Sequence, residues 1–248
     1  MRNIQHKPKF YENSASSDIV VFIHGFMGSP RQFDSLAEAV HRQGYSAATL
    51  LLPGHGSTAK DFGSGTFERW QSHVDAEIER YSCNFSNIWL TGHSMGGLLA
   101  INTAVKFNKC VRGILTIACP FKIIPLSAYT IQTRTRQVFR KTIRAAYLSN
   151  SSVGMSPTLI WHSRRPAAEI RKLMSAARGN LSQVRMPVTA VYSTSDELTS
   201  ITSLDIMKRE LTKAPFESVV LKESLHAYYT EYEQTMIEQA LMNLVSIP

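Results

Sequence analysis

The sequence predicts an α/β fold with a mostly parallel sheet and helices on both faces. Three observations predict it. Short β-branched runs alternate with amphipathic stretches along most of the chain. A G-x-S-x-G turn stands between one such run and an apolar helix. Only residues 121–185 break the rhythm, with helical patterns and no evident strand between them.

The elements follow in order. Residues 19–23 form an apolar run that stops at His24-Gly25. Ser29 can then cap a helix with Pro30 at its first position. Phe33, Leu36, Ala37 and Val40 share a face of that helix, and Gly44 can end it. Residues 47–52 read as the next strand, closed by Pro53-Gly54. Phe67, Trp70, Val74, Ile78 and Tyr81 line one side of a second helix. Residues 88–91 are a strand, and a turn at 92–97 leads into a helix over 98–107. Residues 111–118 are another apolar strand. After the interruption, strands are predicted at 188–192 and 217–221, with a helix at 203–211 between them. Thr230 and Glu233 have capping-box spacing before a last helix, whose buried face is Met236, Ile237, Ala240, Leu241 and Leu244. Such alternation places a site at the carboxyl ends of the strands.

Within 121–185, Ile131, Val138, Phe139, Ile143 and Tyr147 fall on one side of an expected helix. Residues 166–178 make another, with Gly179 as its stop. The chain is therefore expected to divide into a core, 1–120 with 186–248, and a helical cap inserted at 121–185.

Composition bounds the function. The chain has 248 residues, 44% hydrophobic and 19% charged, which excludes wholesale disorder, collagen and coiled coil. No apolar run approaches the ~18 residues of a membrane span, and the N-terminus lacks the apolar stretch of a secretory signal. Cys83, Cys110 and Cys119 cannot all pair and lack metal-ligand spacing. They read as reduced, buried thiols in a cytoplasmic protein.

Gly92-His93-Ser94-Met95-Gly96 carries the chemistry. In a strand-turn-helix setting the serine stands exposed on a strained turn. Glycines flank it because side chains there would collide with backbone. A serine hydroxyl needs a base to take its proton, and the base needs an acid to orient it. The order for this turn is serine, acid, histidine. Only His162 and His226 follow Ser94. His226 lies just beyond the last strand, whereas His162 lies in the cap and reads as a surface or cap residue. Asp196 follows the strand before it and is the predicted acid. Glu197 is expected to point elsewhere, and Asp205 to be solvated on its helix. The oxyanion donors are predicted to be the backbone N–H groups of Met95 and Phe26. His24 is expected to brace the 24–28 loop and His55 to shape its own loop. Met27, with Phe26 beside it, His93 and Phe121 are the expected substrate pocket.

Three stretches resemble the α/β-hydrolase superfamily, and within it small bacterial carboxylesterases and monoacylglycerol lipases. They are His24-Gly25-Phe26-Met27-Gly28-Ser29-Pro30, Leu52-Pro53-Gly54-His55-Gly56 and Gly92-His93-Ser94-Met95-Gly96-Gly97. Ser195-Asp196 and Ser224-Leu225-His226 correspond to the family's acid and histidine motifs. The likeness covers residues 18–120 strongly and 187–245 more loosely. It implies a core of six to eight strands under a helical cap. The implied activity is hydrolysis of carboxylic esters through an acyl-enzyme on Ser94, with a small-molecule ester or lipid as substrate. Acyl transfer, thioester hydrolysis and C–C bond hydrolysis use the same triad. A carboxylate nucleophile, as haloalkane or epoxide hydrolysis would want, is absent where Ser94 stands. No cofactor or metal is expected, since no HExxH or clustered ligand set is present. A non-catalytic binding protein is disfavoured by the complete triad.

The net charge is +8, from 27 Lys and Arg against 19 Asp and Glu. No nucleic-acid-binding signature accompanies it, so no nucleic-acid partner is expected. The charge is concentrated. Residues 121–180 hold eleven cations against Glu169 alone, a balance of +10, and the remainder of the chain sums to −2. Two expectations follow for this cap: a solvated helix face, or peripheral contact with anionic membrane or an acidic substrate.

Overall fold

The computed structural model describes residues 6–125, 151–153 and 158–247. Its centre is a seven-stranded sheet of order β1-β3-β2-β4-β5-β6-β7. The strands are β1 (Lys9–Tyr11), β2 (Asp18–Ile23), β3 (Ser46–Thr49), β4 (Asn87–His93), β5 (Val111–Ile117), β6 (Val188–Ser193) and β7 (Phe216–Leu221). All pairs are parallel except β1 with β3. The predicted α/β architecture and strand number are both found.

The alternation along β2 shows how the layers form. Ile19, Val21 and Ile23 face one side; Val20 and Phe22 face the other. Both sets are fully buried, so the strand reads as a continuous apolar run. On the first side pack α3 (Phe67–Ser82), α4 (Met95–Lys106), α6 (Arg164–Asn180) and α7 (Thr202–Glu210). On the second pack α1 (Asp34–Arg42) and α8 (Glu231–Val245). Two short helices, α2 (Ala59–Gly63) and α5 (Leu159–His162), lie near the carboxyl edge.

Several local expectations are corrected. A 3₁₀ turn, Pro30–Phe33, precedes α1, and Ser29 makes no capping bond although Pro30 leads the turn. Strand β3 stops at Thr49, because the backbone N–H of Leu52 turns away to His24 Nε2, 3.1 Å off. Helix α4 starts at Met95, three residues earlier than predicted. Helix α6 runs through Gly179, which has open space around it and stops nothing. Cys83 is exposed and Cys110 half-buried; only Cys119 is enclosed. Strand β1 and helix α2 went unpredicted. β1 has no apolar pattern and exists because β3 offers it an edge. α2 carries a readable signal, the capping box of Thr58 and Asp61.

Between β5 and β6 the described elements are α5 and α6. The expected helix bearing Ile131, Val138, Phe139, Ile143 and Tyr147, with Arg134, Arg136, Arg140, Lys141 and Arg144, lies outside the described residues. Helix α6 is tied firmly to the core. Leu173 and Ala177 are fully buried. Glu169 accepts the N–H of Phe67 at the start of α3, 3.2 Å away, and Arg178 forks onto Glu210. No helix among the described residues is long and apolar enough to cross a membrane.

The last helix departs from its predicted box in an informative way. Thr230 Oγ1 accepts the N–H of Glu233 at 3.3 Å, as expected. The Glu233 carboxylate does not reach back to the cap. It accepts the N–H groups of Lys222, Glu223 and Ser224 at 2.6, 3.0 and 2.6 Å. It thus gathers the turn that leads from β7 to His226. Glu233→Ala should leave these donors without an acceptor and cost about 2 kcal/mol, read as a lower midpoint in urea unfolding.

Candidate active site

Strand β4 delivers Ser94 through a one-residue reversal. Ser94 has φ 52° and ψ −118°, strained for a residue with a side chain, and α4 begins at the next residue. The turn is tight enough to exclude side chains on both sides. A Cβ at Gly92 would lie 2.4 Å from the backbone of Gly96. A Cβ at Gly96 would lie 2.0 Å from the carbonyl oxygen of Ile23. Hydrogen bonds from Ser94 N–H to Ile117 O (2.7 Å) and from Gly97 N–H to Ser94 O (2.9 Å) hold the reversal.

Two loops at the same edge of the sheet bring the other predicted residues to this serine. His226 Nε2 lies 3.0 Å from Ser94 Oγ, and His226 Nδ1 lies 2.9 Å from Asp196 Oδ2. Asp196 Oδ1 also accepts the N–H groups of Leu198 and Thr199, both at 2.8 Å. All three side chains are at least nine-tenths buried. Burial opposes the charged imidazole of His226. The Asp196 charge, the hydrogen bond to it and Glu197 outweigh that and raise its pKa above 6.5. Burial also opposes the Asp196 carboxylate. The His226 charge and hydrogen bond, with the two backbone donors, hold its pKa below the ordinary value. Both directions favour the ion pair that forms when His226 takes a proton.

The 24–28 loop touches the serine directly. A Cβ at Gly25 would stand 3.1 Å from Ser94 Cβ. Gly28 N–H donates to Gly25 O at 3.0 Å, and Met27 takes a left-handed φ of 57°, so the loop is a tight turn with Phe26 in its bend. His24 lies beneath it. Its Nδ1–H donates to Gly25 O at 2.9 Å and its Nε2 accepts from Leu52 N–H, so both ring nitrogens brace loops. His55 packs edge-on to His24 and Phe62, and burial lowers its pKa to about 4. At the other end of the turn, Met95 heads α4, where first-turn N–H groups have no partner within the helix.

The pocket residues separate. Met27 packs with Phe62, Val153 and Leu159, and its carbonyl accepts the N–H of Ser152 at 2.9 Å. Phe121 is instead buried in the main core, with its N–H on Ser203 Oγ at 3.2 Å. His93 is enclosed behind the site, and its Nε2–H donates to the carbonyl oxygen of His226 at 2.8 Å. Its ring is turned to the backbone of His226. Glu197 does not point away: its Oε2 accepts the N–H of His226 at 2.9 Å. Its neighbour Asp196 was the only sequence signal for it. Tyr229 OH also donates to His226 O, at 3.2 Å. Asp205 is exposed on α7, and His162, the last residue of α5, packs over Gly63. Among the described residues no group of His, Cys, Asp or Glu could hold a metal ion.

Comparison with known proteins places the chain in a family. The model of the family described as serine aminopeptidase, S33, matches residues 14–168, more than half the chain. A thermostable monoacylglycerol lipase of Bacillus sp. (strain H-257) is 26% identical over 234 residues, covering 93% of this chain and 90% of the lipase. The solved structure of a metagenome-derived lipolytic enzyme superposes with a TM-score of 0.73 at 20% identity, over 97% of this chain and 98% of that one. A soluble variant of the monoglyceride lipase of Saccharomyces cerevisiae gives 0.71 at 15% identity, over 96% and 90%. The protein is an α/β-hydrolase, and its chain belongs to the serine aminopeptidase S33 family.

Proposed function

We propose that this protein is a serine hydrolase of carboxylic esters, of carboxylesterase or monoacylglycerol lipase type, acting through an acyl-enzyme on Ser94. The observation that carries this reading is the unbroken path from Ser94 Oγ through His226 to Asp196. His226 Nε2 takes the serine proton as Oγ bonds to the ester carbonyl carbon. The oxyanion accepts hydrogen bonds from the backbone N–H groups of Phe26 and Met95. Collapse breaks the bond to the alcohol, which leaves with the proton from His226. Water, deprotonated by His226, then releases the acid and restores Ser94.

The lipase relative that spans nine-tenths of the chain supports an ester or lipid substrate of small size. The three unpaired cysteines support a reducing compartment such as the cytoplasm. Met27, at the seam between the 24–28 loop and the cap, is the pocket residue the packing favours.

The basic cap supports peripheral contact with anionic lipid. Trp161 is 70% exposed, and the Arg164 guanidinium lies 5.2 Å from its ring centre. Arg165 and Arg171 are exposed nearby in sequence, whereas Lys172 and Arg178 are paired with Glu169 and Glu210. An aromatic ring beside cations suits a membrane interface.

Three outcomes test this reading. Against a panel of p-nitrophenyl esters, monoacylglycerols and aminoacyl anilides, the protein should hydrolyse the esters, and Ser94→Ala should lose about 10³-fold or more of kcat. The base must be neutral to act, so kcat/KM should climb with pH through an acid limb above 6.5. Asp196→Asn should move that limb downward and cost about 10³-fold or more in rate. The protein should co-sediment with anionic but not neutral vesicles, less so in high salt, and Arg164→Glu with Arg165→Glu should weaken this.

A further inference from the structure

His226 sits in a turn rather than in the sheet. Leu225 and Tyr228 bond to each other across it, and no strand ladder holds the residue between them. Its backbone is held instead by side chains. The N–H donates to Glu197 Oε2 at 2.9 Å. The carbonyl oxygen accepts from His93 Nε2–H at 2.8 Å and from Tyr229 OH at 3.2 Å. The histidine is therefore gripped at both its N–H and its carbonyl, independently of what its ring does.

His93 is the informative partner, because it is the last residue of β4 and the one before Ser94. We propose that His93 is a positioning residue for the hydrolytic reaction, tying the backbone of the base to the turn that carries the nucleophile. This role rests on the reading of Ser94 and His226 given above. The connection is short: Ser94 to His93 through one peptide bond, His93 to the His226 carbonyl through one hydrogen bond, and His226 Nε2 back to Ser94 Oγ at 3.0 Å. This closed loop holds the base at a set distance from the hydroxyl. Nucleophile and base must stay within a fraction of an ångström of their working separation, since a shift near 1 Å costs about 10²-fold in rate.

The environment of His93 suits a fixed donor. Its ring packs 4.9 Å from the His226 ring, and the residue is almost wholly buried. Burial, followed by the nearby His226, lowers its pKa to about 3, so the ring stays neutral. A neutral imidazole has one N–H, and the His226 carbonyl claims it at Nε2. Its Nδ1 is turned toward Gly25, where any Cβ would lie 2.9 Å from it. A neutral ring also adds no charge against the imidazolium that His226 becomes.

Two amides at position 93 separate positioning from mere packing. The amide nitrogen of His93→Gln reaches the place of Nε2, whereas that of His93→Asn stops near Nδ1. With p-nitrophenyl butyrate, His93→Asn should lose about 30- to 100-fold in kcat with KM within about threefold. His93→Gln should recover to within about fivefold of the parent, and both should unfold at similar temperatures. A His93→Asn kcat within threefold of the parent, or a His93→Gln enzyme as slow as His93→Asn, overturns the role. If position 93 tolerates neither amide, Tyr229→Phe decides. It removes the second donor to the same carbonyl and should lower kcat about three- to tenfold at unchanged KM; an unchanged kcat counts against the proposal. Ser94→Ala is measured alongside. Activity retained there defeats the nucleophile reading itself, whereas an inert Ser94→Ala beside a normal His93→Asn defeats only the positioning role.

Discussion

The reversal at Ser94 is the constraint on which the rest of the molecule is arranged. A parallel strand must become a helix within one residue, with the side chain turned to His226. That requires the backbone of Gly96 to pass so close to Ile23 that no Cβ fits. It also requires a positive φ at the serine, an energetic cost that persists only where the surroundings impose it. The surroundings are the parallel neighbours β2 and β5. Ile117 receives the Ser94 N–H, and Ile23 borders Gly96. The central position of β4 in the sheet is thus part of the chemistry, because an edge strand would lack a neighbour on one side.

The histidine side of the site is organised by a different principle. Its loop has no ladder, so buried acids supply the missing acceptors. Glu233 collects three N–H groups of the turn after β7, Glu197 takes the N–H of His226, and Asp196 takes two N–H groups as well as the ring. Each carboxylate accepts backbone N–H groups, and Asp196 is held by the His226 ring as well. This leaves the field at the imidazole negative, which favours its protonated form. Hydrogen bonds to charged acceptors are about twice as strong as neutral ones, so a loop held this way can be rigid without regular structure.

Among the described residues, the cations of helix α6 fall into two groups. Lys172 pairs with Glu169 within α6, and Arg178 ties that helix to Glu210 at the end of α7. Arg164 lies over an exposed tryptophan at the other end of that helix. Helix α6 is therefore a wall with one decorated end. Glu169, the single acid of the basic segment, acts structurally, because it caps the N-terminus of α3 from outside that helix. The +10 balance of residues 121–180, set against −2 for the rest of the chain, thus arises with its one acid committed inward.

Much of the fold was legible because burial on both faces of a parallel sheet writes long apolar runs, and helices covering it write 3.6-residue stripes. The G-x-S-x-G turn was legible because glycine is the only residue its contacts allow. The order of serine, acid and histidine followed from the turn, so Ser94, Asp196 and His226 could be named before their distances were known. Other features had no sequence signature. Strand β1 exists because a neighbour's edge was free. Thr230 and Glu233 had the spacing of a capping box, but spacing could not say that the carboxylate would be drawn to three stronger claims across the turn. His93 and Glu197 looked like a pocket residue and an idle acid. Their partners lie 133 and 29 residues away, on the backbone of His226. Sequence determines which residues can do chemistry, since that is a matter of functional groups and local backbone sterics. Which residues hold those groups still is decided by the tertiary structure, because hydrogen bonds to a peptide plane leave no pattern in the sequence that makes them.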